Sequence, residues 1–134
     1  MSVSSVVYLD SSAIVKLIFD EPETDALQRF LADRPSRFSS VVARAEVIRA
    51  ARSVGDDLVV GRAHDVLDGL DFIELDSQTV RRAAGVEPRS VRTLEAIHLA
   101  AALSLEPDLA GIVVYDRRLA AAARAAGLTV WAPA

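Results

Sequence analysis

The stretch that decides the fold is Val6-Val7-Tyr8-Leu9-Asp10-Ser11-Ser12-Ala13-Ile14-Val15-Lys16. A run of β-branched and aromatic residues ends at an acid, and apolar residues with helical spacing follow it. This order predicts a buried strand that leads into a helix, with Asp10 at the carboxyl end of the strand. In an open α/β sheet, that edge is where ligands bind.

A second segment of the same design lies near the other end of the chain. The apolar run Gly111-Ile112-Val113-Val114-Tyr115 is followed by Asp116 and by an alanine-rich helix over residues 117–126. Two parallel strands would then each deliver a carboxylate to one edge of the sheet. The alternative is that each acid only caps its helix, since aspartate is a preferred N-cap residue.

Composition limits the class of protein. A chain of 134 residues, half of them hydrophobic, predicts a single domain over residues 1–134 with a sizeable core. The absence of cysteine excludes disulfides and thiolate metal sites and is consistent with a reducing cytosol. Residues 1–5 carry no basic segment, and the most apolar helix, over residues 94–105, is too short to span a bilayer. We therefore expect a cytoplasmic protein without a membrane segment.

The charge balance bears on nucleic-acid binding. The formal net charge is −4, which argues against tight, non-specific binding to nucleic acid through bulk electrostatics. It does not exclude a nuclease, because carboxylates that hold a metal ion count as negative charges while the ion is not counted.

The alternation of strand and helix patterns predicts the architecture. Strands are expected near residues 6–9, 37–39, 72–75, 111–115 and 128–131, with helices between them. Pro22 is expected in the first turn of the second helix, and Thr93 is expected to cap the helix over residues 94–105. This pattern predicts an α/β fold, a three-layer α/β/α sandwich with a mostly parallel sheet of four or five strands.

Glu46 lies in the middle of the predicted helix over residues 41–53. The apolar positions of this helix approximate one face, and Glu46 is expected to point to that face; these positions are Val42, Ala45, Ile48 and Ala50. A lone charge on a buried face is costly unless it is paired or bound to a metal ion. Arg49 and Arg52 could pair with Glu46 instead, and helix geometry leaves both readings open.

Four acids are predicted to meet at the carboxyl edge of the sheet: Asp10, Glu46, Glu95 and Asp116. Repulsion would cost about 4 kcal/mol for each close pair at an effective dielectric constant near 20. A hard cation such as Mg²⁺ or Mn²⁺ would offset it, with hydroxyls of Ser11, Ser12 or Thr93 as neutral ligands. The chemistry that this arrangement serves best is attack of metal-activated water on a phosphodiester.

The four acid-bearing segments resemble those of PIN-domain ribonucleases, in particular the VapC-type toxins of toxin–antitoxin pairs. The matching segments, in order, are Leu9–Lys16, Val42–Glu46, Arg92–Ala100 and Tyr115–Leu119. The resemblance implies a PIN-like fold and an endoribonuclease whose acids hold Mg²⁺ or Mn²⁺, with Ser12 supporting Asp10. It also implies an RNA substrate, a homodimer and a VapB-like antitoxin that covers the site.

Two positions depart from the family pattern. The third acid is usually aspartate and is Glu95 here, one methylene longer, which can change the metal geometry or weaken activity. Val114 stands where a hydroxyl residue is common, which removes a hydrogen bond behind the site.

Several residues remain open between a site role and a structural one. His98 is either a proton shuttle or a buried structural histidine. Lys16 contacts phosphate or pairs with acids near the start of the chain, and Arg117 contacts phosphate or lies on a solvated edge.

Two other functions are considered. A phospho-acceptor receiver module also gathers acids and Mg²⁺ at strand ends, but it requires adjacent acids after the first strand and a lysine after a late strand. Here Asp10 is followed by Ser11, and the only lysine is Lys16. The other alternative is a non-catalytic PIN-like scaffold that binds RNA or a partner. This alternative is favoured if Glu95, in place of the usual aspartate, prevents metal binding.

Overall fold

The structure is a computed structural model and describes residues 5–134. Within them the chain forms five strands, β1 Val6–Leu9, β2 Arg37–Ser40, β3 Asp71–Ile73, β4 Leu109–Val113 and β5 Val130–Trp131. The helices of the same residues are α1 Ser11–Ile18, α2 Thr24–Leu31, α3 Val42–Ser53, α4 Asp57–Asp68, α5 Ser77–Ala84, α6 Thr93–Leu103 and α7 Arg117–Ala125. Residues 1–4, on which the expectation of a cytoplasmic protein partly rests, lie outside the described residues.

The five strands form one parallel sheet in the order β3-β2-β1-β4-β5. The chain builds β1, β2 and β3 outward in one direction and then crosses back to place β4 on the other side of β1. This reversal makes the β1–β4 boundary the switch point of the sheet, where ligands bind in folds of this type. The order also differs from the 2-1-3-4-5 arrangement of receiver modules, so the receiver alternative is wrong.

The sheet is covered on both faces, as a parallel sheet requires. Alternate residues of β1 serve opposite layers: Val7 and Leu9 pack with α1 to α4, whereas Tyr8 packs with α6 and α7. Helix α5 packs on α6 through Ala83. The predicted three-layer α/β/α sandwich is therefore confirmed, with five strands that are all parallel.

Close packing joins the last two strands at Gly111. A Cβ atom at this position would lie 2.6 Å from the Trp131 ring and 2.8 Å from the carbonyl oxygen of Thr129. Glycine is therefore required in β4 because the Trp131 ring covers the strand backbone.

Three predicted boundaries are wrong. Helix α2 begins at Thr24, two residues after Pro22, which lies before the helix rather than in its first turn. Thr93 is the first residue of α6, and Arg92 is the N-cap. Strand β4 ends at Val113 rather than Tyr115, so Asp116 follows the strand after two further residues.

No helix among residues 5–134 combines the length and the apolar character needed to cross a bilayer.

Candidate functional site

Asp10 and Asp116 lie at the switch point of the sheet. Asp10 directly follows β1, and its backbone amide donates to the carbonyl of Val113 in β4 at 3.3 Å. Each acid also caps the helix that follows it: an Asp10 carboxylate oxygen accepts from the Ala13 amide at 3.0 Å, and Asp116 accepts from the Leu119 amide at 2.9 Å. Each acid therefore caps a helix and also lies at this edge of the sheet, so the two interpretations of the sequence are compatible.

Ser12 ties the ends of β1 and β4 together. Its hydroxyl donates to the Asp10 carboxylate, with oxygen–oxygen distances of 2.7 and 2.9 Å to the two carboxylate oxygens. The same hydroxyl accepts from the Tyr115 amide at 3.0 Å. The position of the Asp10 carboxylate is therefore set from both strands.

The Asp10 side chain is almost completely buried, with the residue 4% exposed. Burial raises the pKa of this carboxyl to about 6, and the hydrogen bond from the Ser12 hydroxyl opposes the rise. The nearby charge of Asp116 raises the pKa further. A buried carboxylate beside a second carboxylate is a site where a cation would be stabilised electrostatically.

Glu46 reaches the site from α3, but by a different face than the sequence predicts. The buried face of α3 carries Ala43, Val47 and Ala51, whereas Ala45 is exposed and Glu46 is partly buried at the edge of that face. The prediction that Val42, Ala45, Ile48 and Ala50 form the inward face is therefore wrong. A helix of this composition has small alanines on several sides, so apolar spacing alone does not select one face.

The partners of Glu46 are Ser11 and His98, not the arginines of its own helix. Its Oε1 atom accepts from the Ser11 hydroxyl at 2.6 Å and lies 2.8 Å from Nε2 of His98. Burial alone would raise the pKa of Glu46, but the hydrogen bonds from His98 and Ser11 outweigh it and hold the pKa below its ordinary value. Glu46 is therefore ionised at neutral pH.

His98 connects Glu46 to the core of the sheet. It is 3% exposed, and its Nδ1 atom lies 2.6 Å from the hydroxyl of Tyr8 in β1. Burial raises the pKa of the Tyr8 hydroxyl far above its ordinary value, so this hydroxyl keeps its proton. Tyr8 was not identified from the sequence as a partner of His98. The signal that could have pointed to it is a hydroxyl-bearing aromatic residue in a buried strand whose other residues are aliphatic.

Glu95 does not join the other three acids through any contact in residues 5–134. Its Oε2 atom accepts from the backbone amide of Arg92 at 3.2 Å, so the carboxylate caps α6, the helix that also carries His98 one turn later. Across the described part of the chain, no three carboxylate or imidazole side chains are grouped so that they could hold a metal ion. Of the four acids predicted to meet, Asp10 and Asp116 lie close together, Glu46 contacts Ser11 and His98, and Glu95 caps α6.

The donor chemistry of this edge nevertheless suits a hard divalent ion. Mg²⁺ is usually held by one or two carboxylates and completes its shell with water and substrate phosphate oxygens. Asp10 and Asp116 supply two carboxylates at one edge, and the charge of Asp116 is close enough to raise the pKa of Asp10. The residues present therefore fit Mg²⁺ or Mn²⁺.

The remaining predicted site residues lie around this edge. The Lys16 ammonium is 3.3 Å from Glu23 and 3.5 Å from Glu21, and it lies 4.7 Å from the centre of the Tyr115 ring. Arg117 is exposed at the start of α7, and Thr93 is exposed at the start of α6.

The chain is similar to known proteins in both sequence and fold. A family model for the PIN domain matches residues 7–130. Ribonuclease VapC46 of Mycobacterium tuberculosis is 46% identical over 130 residues, covering 96% of this chain and 98% of the relative. Ribonuclease VapC35 of the same species is 40% identical over 133 residues, covering 96% of this chain and 97% of the relative.

Solved structures have the same fold at low identity. The crystal structure of Mycobacterium tuberculosis VapC20, described as a sarcin–ricin loop cleaving toxin, has a TM-score of 0.70 at 16% identity, over 92% of this chain and 96% of that one. A toxin–antitoxin complex from Klebsiella pneumoniae has a TM-score of 0.66 at 18% identity, over 82% of this chain and 86% of that one.

Proposed function

We propose, since this chain belongs to the PIN-domain family, that it is a metal-dependent endoribonuclease and the toxin of a toxin–antitoxin pair. The observation that carries the proposal is that Asp10 and Asp116 lie close together at the switch point between β1 and β4, the part of the sheet at which folds of this type bind ligands. Relatives named as ribonucleases match nearly the whole chain, which supports the same chemistry here.

The acids are assigned to a Mg²⁺ or Mn²⁺ site. Asp10 and Asp116 would hold the ion directly, and Glu46 and Glu95 would complete the acidic edge, Glu95 by giving up its hydrogen bond to Arg92. The ion, when bound, supplies the positive charge that lets water attack phosphorus at neutral pH and that stabilises the charge developing on the phosphoryl oxygens. Ser12 holds the Asp10 carboxylate in place through its hydroxyl.

Cationic side chains near the acids would orient the RNA backbone. Arg117 follows Asp116 directly, and its exposed side chain would form a bidentate contact with a phosphate. Lys16 would contact phosphate by exchanging its ion pairs with Glu21 and Glu23. With a net charge of −4, these local contacts rather than the overall field would bind RNA.

The expected partner of such a toxin is a cognate VapB-like antitoxin that covers the acidic edge. The chain itself would form a homodimer and act in the cytoplasm. The same fold occurs in a toxin–antitoxin complex from Klebsiella pneumoniae, which supports a protein partner for this chain.

The test is RNA cleavage by the purified protein with and without EDTA, with Asp10→Asn and Asp116→Asn as the site variants. Asp76→Asn is the matched control, because Asp76 caps α5 through the same contact, accepting from the Thr79 amide at 2.8 Å, with its carboxylate exposed. Cleavage should require the divalent ion and both site acids and should survive in the Asp76 variant. Metal-independent cleavage, or equal loss in all three variants, would contradict the proposal.

A non-catalytic scaffold is the second candidate, and the capping contact of Glu95 favours it, because that carboxylate is engaged away from the other acids. Calorimetric titration with Mn²⁺ separates the two functions. A scaffold should show no binding that depends on Asp10 and Asp116.

A further inference from the structure

We propose that Tyr8 and His98 are positioning residues that hold the Glu46 carboxylate by one oxygen and leave the other oxygen available at the site. The inference rests on the proposed function, in which Glu46 belongs to the acidic edge. It concerns three side chains from three elements, β1, α6 and α3, which form a continuous chain of hydrogen bonds from the core of the sheet outward.

The direction of these hydrogen bonds follows from the partners. An ionised carboxylate can only accept, so Nε2 of His98 must carry the proton that is donated to Oε1 of Glu46 at 2.8 Å. The protonated Tyr8 hydroxyl then donates to Nδ1, 2.6 Å away. Tyr8 therefore fixes the tautomer of His98, and that tautomer is the one that can hold Glu46.

Packing keeps the histidine ring in this orientation. Tyr8 is fully buried and His98 is 3% exposed, and their rings meet edge to face, with centroids 5.8 Å apart and planes at 72°. A ring flip of His98 would exchange both hydrogen bonds for carbon atoms inside the core. The orientation of the ring, and with it the donor to Glu46, is thus determined by the core.

The hydrogen bonds that Glu46 receives from the described residues both fall on Oε1. Ser11 donates to this atom at 2.6 Å and His98 at 2.8 Å. Two donors on one oxygen restrain the carboxylate plane, which reduces the entropy that Glu46 would lose on binding an ion or water through Oε2. Hydrogen bonds behind a metal-binding acid commonly have this function.

Two substitutions at one position separate positioning from packing. A glutamine amide reaches about as far as Nε2 of histidine, so His98→Gln keeps a donor to Glu46. An asparagine amide ends near Nδ1, so His98→Asn keeps a polar partner for Tyr8 and loses the donor to Glu46. Tyr8→Phe retains the aromatic ring and removes only the hydroxyl, which provides a variant that disturbs the core least.

The measurements use the full chain. In the metal-free protein, ¹⁵N chemical shifts of His98 should show the proton on Nε2, and Tyr8→Phe should weaken this preference. Mn²⁺ affinity, measured by calorimetry on variants that thermal denaturation shows to be folded, should fall about tenfold in His98→Asn and stay near the wild-type value in His98→Gln. The RNA cleavage rate should follow metal affinity, with KM for RNA unchanged.

A Glu46→Gln variant distinguishes failure of this inference from failure of the proposed function. If Glu46→Gln lowers Mn²⁺ affinity and cleavage but folded His98→Asn and Tyr8→Phe do not, the positioning role is wrong and the nuclease assignment stands. If Glu46→Gln changes neither quantity, Glu46 is not part of the site, and both its proposed role and the positioning role are wrong. Equal losses in His98→Gln and His98→Asn would also overturn the inference.

Discussion

The hydroxyl oxygen of Ser12 accepts a hydrogen bond from the backbone amide of Tyr115 at 3.0 Å, although the two residues are 103 positions apart. Ser12 is the second residue of α1, which follows β1 directly after Asp10, and Tyr115 follows β4. This contact therefore joins the carboxyl ends of the two central strands. Because the same hydroxyl donates to the Asp10 carboxylate, the Ser12 side chain helps to set the position of Asp10 relative to the end of β4.

Replacing Ser12 with alanine should destabilise the protein by about 1–3 kcal/mol, because the Tyr115 amide loses its partner and the buried Asp10 carboxylate loses a donor. Urea denaturation measures the change in the free energy of unfolding. Ser53→Ala is the control, since the exposed Ser53 hydroxyl donates to the Ala50 carbonyl of its own helix, and it should change stability little. Equal effects of the two substitutions would show that the bridge between the strands contributes no stability.

In the metal-free protein, the free energy of unfolding should change with pH as Asp10 titrates. The folded pKa is raised from 3.8 to about 6, so the folded state binds the proton more tightly than the unfolded state. The Asp10 contribution to stability is therefore most favourable below pH 4 and is lost as the pH rises through 6, by on the order of 3 kcal/mol in total.

Asp10→Asn removes this titration. The free energy of unfolding, measured with EDTA across pH 4–7 for both proteins, should show the variant gaining stability relative to the wild type as the pH rises. A difference between the two proteins that stays constant across this range would contradict the raised pKa.

Packing between β4 and β5 predicts the effect of substitution at Gly111. Gly111→Ala should cost about 1–3 kcal/mol, because the new methyl group meets the Trp131 ring and the Thr129 carbonyl at under 3 Å. Gly61→Ala is the matched control: Gly61 is exposed in α4, and beyond its chain neighbours and the backbone of its own helix an added Cβ meets no atom of the described residues within 4 Å, so this change should stabilise by up to about 1 kcal/mol. Thermal denaturation of both variants would show opposite shifts, and a shift of the same sign in both would refute the packing argument.

The sequence was sufficient to predict the fold, because hydrophobic runs of four or five residues identify the central strands and parallel connections place their carboxyl ends together. It did not give the end of β4, which stops at Val113 rather than at Tyr115. It could not predict which donors the acids would accept from. Glu95 is close enough to the Arg92 amide to cap its own helix, and a capping contact competes locally with any distant partner. The Tyr8–His98 contact spans 90 positions, and no local pattern encodes such a pairing.

Glu95→Asp tests whether the capping contact holds the third acid away from the metal site. Aspartate is one methylene shorter, and a capping box depends on the longer glutamate or glutamine side chain to reach back to the N-cap amide. The substitution should therefore weaken the start of α6 by up to about 1 kcal/mol and free the carboxylate for the acidic edge. We expect Mn²⁺ affinity and RNA cleavage to rise together. Glu95→Gln is the control, since it keeps the capping acceptor and removes the charge. If Glu95→Asp lowered metal affinity as much as Glu95→Gln, the longer side chain would itself be the better ligand, and the capping contact would not limit the site.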